Sequence, residues 1–111
     1  MAYSETIMIS ATPEEAVSLM HSIEASISPG RNPGVTEARI DNLVLDIEEI
    51  DIYQGFHTAM DVYGTSRENA KENARSFFNR LSEATPWRLA LGFDENDAPI
   101  IERPTVPSDE K

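Results

Sequence analysis

Residues 56–81, FHTAMDVYGTSRENAKENARSFFNRL, contain the clearest change of structural pattern in the chain. Side chains alternate at first, which is typical of a strand, with one face formed by Phe56, Thr58, Met60 and Val62. After Gly64 the apolar residues recur every three or four positions, which predicts a helix to about Ala84. Thr65 and Glu68 have the spacing of a capping box at its start. The sequence therefore predicts a strand followed directly by an amphipathic helix.

The first third of the chain repeats this order. Residues 3–10 alternate as a strand does, and Thr12-Pro13-Glu14-Glu15 is a strong helix start. Thr12 and Glu15 have capping-box spacing, and proline suits the first helical position. We expect this helix over residues 12–27. A loop should follow at 28–34, because that segment holds two prolines and two glycines.

Between the two strand–helix pairs, residues 38–53 are rich in aliphatic side chains. Their alternation changes phase, which indicates either one strand bulged at Glu48-Glu49 or two strands split there by a turn. We favour the bulge. The short Gln54-Gly55 connection then predicts a hairpin to the next strand.

The C-terminal part contains two further predicted strands. The first follows the alternation of Trp87, Leu89, Leu91 and Phe93, and a turn is expected at 94–97. The second covers 98–102 and should lie at a sheet edge, because Pro99 cannot donate a ladder hydrogen bond. Residues 104–111 are expected to form a flexible tail.

This order predicts an α+β fold, a ferredoxin-like β-α-β-β-α-β two-layer sandwich with an extra C-terminal strand. Residues 1–103 should form one domain. The helices would cover one sheet face and leave the other facing solvent or a partner. The aromatic residues that could form an apolar patch there are Tyr3, Tyr53, Tyr63 and Trp87. The core is the alternative place for them, and we favour it for Trp87.

Composition restricts the function classes. The chain has 111 residues, no cysteine and a formal net charge of −11. Without cysteine there can be no disulfide, thiolate zinc site or cysteine nucleophile. The negative charge disfavours nucleic acid and anionic membranes as direct partners and favours a basic protein. The first ten residues lack a basic segment and a long apolar run, so a cytoplasmic location is expected.

No catalytic, metal or cofactor motif is present. His21 and His57 lack the histidine spacing of a zinc site, and His57 and Asp61 would lie too far apart along a strand to hydrogen bond. There is no Gly-x-Ser-x-Gly or Gly-rich phosphate loop. We therefore expect no cofactor, no metal and no catalytic residue.

The clearest functional signal is the separation of charge along the chain. No lysine or arginine occurs between Ile40 and Ser66, and the acids there are Asp41, Asp46, Glu48, Glu49, Asp51 and Asp61. Like charges at neighbouring strand positions repel each other unless packing or a partner compensates. We interpret Asp46, Glu48, Glu49, Asp51 and Asp61 as partner-binding residues. The alternative is a solvated strand face whose acids protect a sheet edge.

The leading hypothesis is a small acidic, non-enzymatic interaction protein of the inhibitor, immunity or phage-antagonist type. It would dock on a basic protein surface, such as that of a nucleic-acid-binding protein. The comparison with those classes rests on size and charge alone. The alternative is a homodimeric ferredoxin-like module, with or without enzymatic activity, that binds a small molecule between sheet and helices. It predicts a cavity lined by residues such as Met60, Phe77 and Trp87.

Overall fold

A computed structural model of the chain describes residues 3–30, 33–41, 43–51, 55–93 and 99–103. The elements are β1 (Tyr3–Ile9), α1 (Pro13–Ser22), β2 (Ser26–Pro29), β3 (Val35–Ile40), β4 (Leu43–Glu49), β5 (Thr58–Gly64), α2 (Arg67–Ala84), β6 (Leu89–Phe93) and β7 (Pro99–Arg103). All these strands join one antiparallel sheet in the order β2-β3-β4-β5-β1-β6-β7. Both helices pack on one face of the sheet, and we call the opposite face the open face.

The α+β class is confirmed, but the ferredoxin-like order is not. Four strands, β2 to β5, separate the two helices along the chain, whereas the sequence predicted two. The additional β2–β3 hairpin extends one side of the sheet. At the other side β7 is the edge strand, as Pro99 predicted. The expected turn at 94–97 and tail at 104–111 lie outside the described residues.

The predicted capping box of α1 is present. The Thr12 hydroxyl accepts a hydrogen bond from Glu15 N (3.2 Å), and Glu15 Oε1 accepts one from Thr12 N (2.9 Å). The helix ends at Ser22 rather than near residue 27. Glu24 then adopts a left-handed conformation (φ 65°), and Ala25 N donates to Met20 O (2.9 Å). This turn directs the chain into β2. The sequence predicted the end of the helix and the start of a loop over these residues.

Helix α2 begins at a different cap from the predicted one. Ser66 is the N-cap, and its hydroxyl accepts from Asn69 N at 3.1 Å. The Asn69 side chain in turn accepts from Thr65 N at 2.9 Å. The N-cap therefore lies one residue later than predicted. The capping box predicted for Thr65 and Glu68 is not formed, because the Asn69 side chain accepts from Thr65 N rather than from the N-cap N–H of Ser66.

The single bulged strand predicted at 38–53 is wrong. The chain reverses at Asp41, which has a positive φ of 54°, and Ile40 pairs with Leu43 across the β3–β4 hairpin. The split thus lies well before Glu48-Glu49. Strand β4 ends at Glu49 and β5 begins at Thr58, so their connection is longer than Gln54-Gly55. Ile50 N donates to His57 O (3.0 Å) and continues the pairing into this connection.

The main core lies between the sheet and the helices. Strand side chains such as Ile7, Leu45 and Val62 meet α2 side chains such as Phe77 and Leu81 there. A smaller cluster on the open face contains Met8, Phe56, Ala59 and Ala90, with Ile50 packed against it. The Arg88 guanidinium lies 4.5 Å from the centre of the Phe56 ring. Among the described residues, neither helix is long and apolar enough to cross a membrane.

The aromatic residues do not form the apolar patch considered for the open face. Tyr3 is exposed, but strand alternation places it on the helix side. Tyr63 is half-buried on the open face, whereas Trp87 packs against the main core. Tyr53 lies outside the described residues. Met60 and Phe77 are fully buried and so cannot line an accessible cavity as the alternative hypothesis expected.

Candidate functional site

Three carboxylates align across neighbouring strands of the open face. Asp46 on β4 lies directly opposite Asp61 on β5, and on its other side it lies opposite Glu37 on β3. The side chains next to each of them in sequence, such as Ala38, Leu45 and Val62, face the core. We call Glu37, Asp46 and Asp61 the acidic row. Directly paired strand residues have Cβ atoms about 4.5–5.5 Å apart, so the charges of this row interact.

Hydroxyl groups hold two carboxylates of the acidic row. The Tyr63 hydroxyl donates to Asp46 Oδ2 at 2.6 Å. The Thr6 hydroxyl, on β1, donates to Asp61 Oδ1 at 2.5 Å. Both aspartates are half-buried, and both hydrogen bonds join residues of different strands. These contacts orient the two carboxylates, and a neutral hydroxyl donor brings no positive charge to them.

The ion pairs among the described residues do not include Asp46 or Asp61. Arg39 Nε lies 2.7 Å from Glu37 Oε2 at one end of the acidic row. Within the part of the chain that the structure describes, Asp46 and Asp61 have no ion pair. Helix α2 carries exposed basic residues, but it packs on the opposite side of the sheet. Its Arg80 instead contacts Asp41, with Nη1 3.4 Å from Oδ2.

The structure separates the five acids that the sequence grouped. Asp46, Glu48 and Asp61 share the open face, with Glu48 exposed and opposite Ala59. Glu49 has the opposite parity and faces the helix side at the end of β4. Asp51 is exposed in the connection after β4. A single patch of all five acids is therefore not present.

Sequence reasoning missed Glu37. It lies outside the acid-rich segment, and only the β3–β4 register brings it opposite Asp46. The available signal was the Asp41-Asn42 pair, since such residues are common in two-residue hairpin turns. A hairpin closed there would have paired Glu37 with Asp46.

Two open grooves lie on the helix side. The Trp87 groove has a volume of about 450 Å³ and is lined by Leu19, Pro86 and Trp87 together with Glu14, Glu15, Ser18, Ala84 and Thr85. The β2 groove has a volume of about 780 Å³ and lies where the first turn of α1 meets β2, the turn at Gly34 and the end of β4. Its walls include Val17, Ile27 and Glu49. Neither groove includes the acidic row.

The acidic row is placed to accept hydrogen bonds from lysine or arginine side chains. Carboxylates accept hydrogen bonds from lysine and arginine, and those on the open face are pre-oriented. No group of three or more His, Asp or Glu side chains in the described segments is placed to hold a metal ion. His57 is exposed and precedes β5. Searches of protein-family models, curated proteins and solved structures give no match to this chain.

Proposed function

We propose that this chain is a small, non-enzymatic binding protein whose open face docks on a basic surface of another protein. The observation that carries the proposal is the acidic row, in which Asp46 and Asp61 lie directly opposite each other without an ion pair in the described structure. Directly opposed like charges destabilise a sheet. A partner that supplies positive charge would remove this cost on binding.

The hydroxyl contacts support the same proposal. Tyr63 and Thr6 hold the two aspartates in defined orientations before a partner arrives. Pre-organised groups lose less conformational entropy on association, so more of the interaction energy contributes to affinity. The formal net charge of −11 would also accelerate the encounter with a basic protein.

The proposed contact residues are Glu37, Asp46, Glu48 and Asp61. Glu49 and Asp51 are left out, because one faces the helix side and the other lies in a loop. The partner class is a basic protein, such as one that itself binds nucleic acid, and the encounter would occur in the cytoplasm. An inhibitor, an immunity protein or a phage antagonist would act in this way.

The proposal can be tested with two variants that each remove two negative charges. Asp46→Asn/Asp61→Asn alters the acidic row, and Glu72→Gln/Glu83→Gln alters exposed acids of α2. Tagged proteins are used to capture partners from native lysate at low and high salt, with identification by mass spectrometry. We expect the wild type and the α2 variant to capture the same basic protein at low salt only, and the acidic-row variant to lose it. Equal capture by all three proteins, or capture insensitive to salt, would contradict the proposal.

The Trp87 groove favours a second candidate, the homodimeric ferredoxin-like module that binds a small molecule. Its volume of about 450 Å³ falls within the range of ligand pockets, and Leu19 and Trp87 give it an apolar wall. The inner strands β4-β5-β1-β6, with a helix after β1 and another after β5, would be the ferredoxin-like unit. A dimer through the open faces would bring two acidic rows together, which is unfavourable. Sedimentation distinguishes the candidates, because a tight dimer supports this one and a monomer supports docking.

A further inference from the structure

The β2 groove is an apolar depression at one edge of the sheet. Pro13 and Val17 of α1 form one wall, and Ile27 and Pro29 of β2 form the other. Val17 and Ile27 pack partly against the main core and remain half-buried. An apolar side chain placed here would extend the existing core and lose contact with water.

Two carboxylates give this apolar groove a negative character. Glu14, in the first turn of α1, and Glu49, at the end of β4, both line it and are both exposed. No lysine or arginine of the described segments lines the groove. The apolar walls therefore suit an apolar side chain, and the two carboxylates suit positive charge next to that side chain.

The backbone of β2 limits how an occupant can bind. Gly30 N donates to Val35 O (2.7 Å), and alternation along an antiparallel pair then directs the backbone groups of Ser28 toward β3. The backbone groups of Ile27 and Pro29 are directed away from β3, and proline has no N–H. Ile27 is thus the one residue of β2 that offers an N–H to an added strand. Recognition by side-chain insertion is favoured over extension of the sheet.

We infer that the β2 groove binds an apolar side chain of a partner protein that is flanked by lysine or arginine. The apolar side chain would contact Val17 and Ile27, and the flanking cation would lie near Glu14 and Glu49. This site is separate from the acidic row, because the groove is on the helix side of the sheet. Glu49, which the sequence grouped with the open-face acids, acquires its role here.

The test is an NMR titration of the ¹⁵N-labelled full chain with three blocked synthetic peptides at up to millimolar concentration. Lys-Leu-Lys carries both features, Lys-Ser-Lys lacks the apolar side chain and Glu-Leu-Glu reverses the charge. We expect Lys-Leu-Lys to shift the amide signals of Val17, Ile27 and Glu49. Lys-Ser-Lys should bind about tenfold more weakly, because burial of one leucine is worth at least that factor. Glu-Leu-Glu should not bind.

Two variants separate this inference from the proposed function. Glu14→Gln/Glu49→Gln should weaken Lys-Leu-Lys binding about fivefold, since two charges leave the groove. Asp46→Asn/Asp61→Asn, which removes two charges from the open face, should leave it unchanged. The inference is overturned if Lys-Leu-Lys and Lys-Ser-Lys bind equally, if no signal shifts, if only open-face signals shift, or if the groove variant binds like the wild type. Capture by the acidic row is tested separately with the Asp46→Asn/Asp61→Asn variant in lysate, so the two proposals can fail independently.

Discussion

At the residue scale, the carboxylate of Asp61 takes part in two opposing interactions. The Thr6 hydroxyl donates a favourable hydrogen bond to Asp61 Oδ1 at 2.5 Å. The carboxylate of Asp46, which lies directly opposite, repels that of Asp61. Asp46 has a matching hydrogen bond from Tyr63. Each residue is therefore held by a hydrogen bond while the two repel each other, and their coupling can be measured.

We predict that Asp46 and Asp61 destabilise each other at low salt by about as much as an opposite-charge pair on a sheet stabilises, which is roughly 0.2–1 kcal/mol. In a double-mutant cycle, Asp46→Asn should be more favourable for stability in the wild type than in the Asp61→Asn background. The reason is that the charge of Asp61 is present only in the wild type. Urea unfolding of the four proteins provides the free energies. The control cycle pairs Asp46→Asn with Glu83→Gln on α2 and should give a coupling energy near zero. A coupling energy of zero between Asp46 and Asp61 would contradict the prediction, because it would show that the two carboxylates do not repel each other.

Alternation predicts the face of an acid, but not its cross-strand neighbour. Asp46 and Glu48 share parity along β4 and share the open face, and Glu49 differs from them in both respects. The pairing of Asp46 with Glu37 and Asp61 depends on register, which the sequence left open because the β3–β4 turn was misplaced. The positive φ of Asp41 is compatible with aspartate and marks where that turn occurs.

At the element scale, β5 and α2 are joined by an unusually close contact at Gly64. A Cβ atom added there would lie 2.3 Å from Ala70 N and 2.6 Å from Ala70 Cα. These are backbone atoms of the first turns of α2, so they cannot move aside as a flexible side chain can. The glycine is required by this contact between strand and helix.

We predict that Gly64→Ala lowers the free energy of unfolding by about 1–3 kcal/mol through overpacking. Gly34→Ala is the matched control, because a Cβ there meets no atom of the described residues within 4 Å, so the expected cost comes from its positive φ of 83°. That strain costs about 1 kcal/mol. Chemical denaturation of both variants measures the difference. If Gly64→Ala proved as stable as the wild type, β5 and α2 could not pack as closely as described.

Elements with strong local signals were predicted well, and those formed by tertiary pairing were not. The starts of α1 and α2 were located to within one or two residues from capping and periodicity. Strand β2 was missed because its four residues include one large aliphatic side chain and a proline, and pairing with β3 is what makes it a strand. The chain segment of β3 and β4 was recognised as extended, but its parity change was assigned to a bulge.

At the scale of the whole molecule, the sheet separates two different surfaces. The helix side contains the main core and the two grooves. The open face carries the acidic row and the smaller apolar cluster that includes Met8 and Phe56. The formal charge of −11 alone predicted an acidic molecule. It could not predict that Asp46 and Asp61 would be opposed in the described structure while the basic residues of α2 lie on the other side. That distribution depends on the packing of α2.

This distribution predicts how salt changes stability. Raising ionic strength from about 0.01 M to about 1 M shortens the Debye length from about 30 Å to about 3 Å, so repulsion among the acids is screened. The free energy of unfolding of the wild type should therefore rise with salt. Asp46→Asn/Asp61→Asn should show a smaller rise than Glu72→Gln/Glu83→Gln, although both remove two charges, because only the first pair is directly opposed in the structure. Urea unfolding across the salt series measures both, and an equal rise in the two variants would mean that net charge, rather than the acidic row, governs the response.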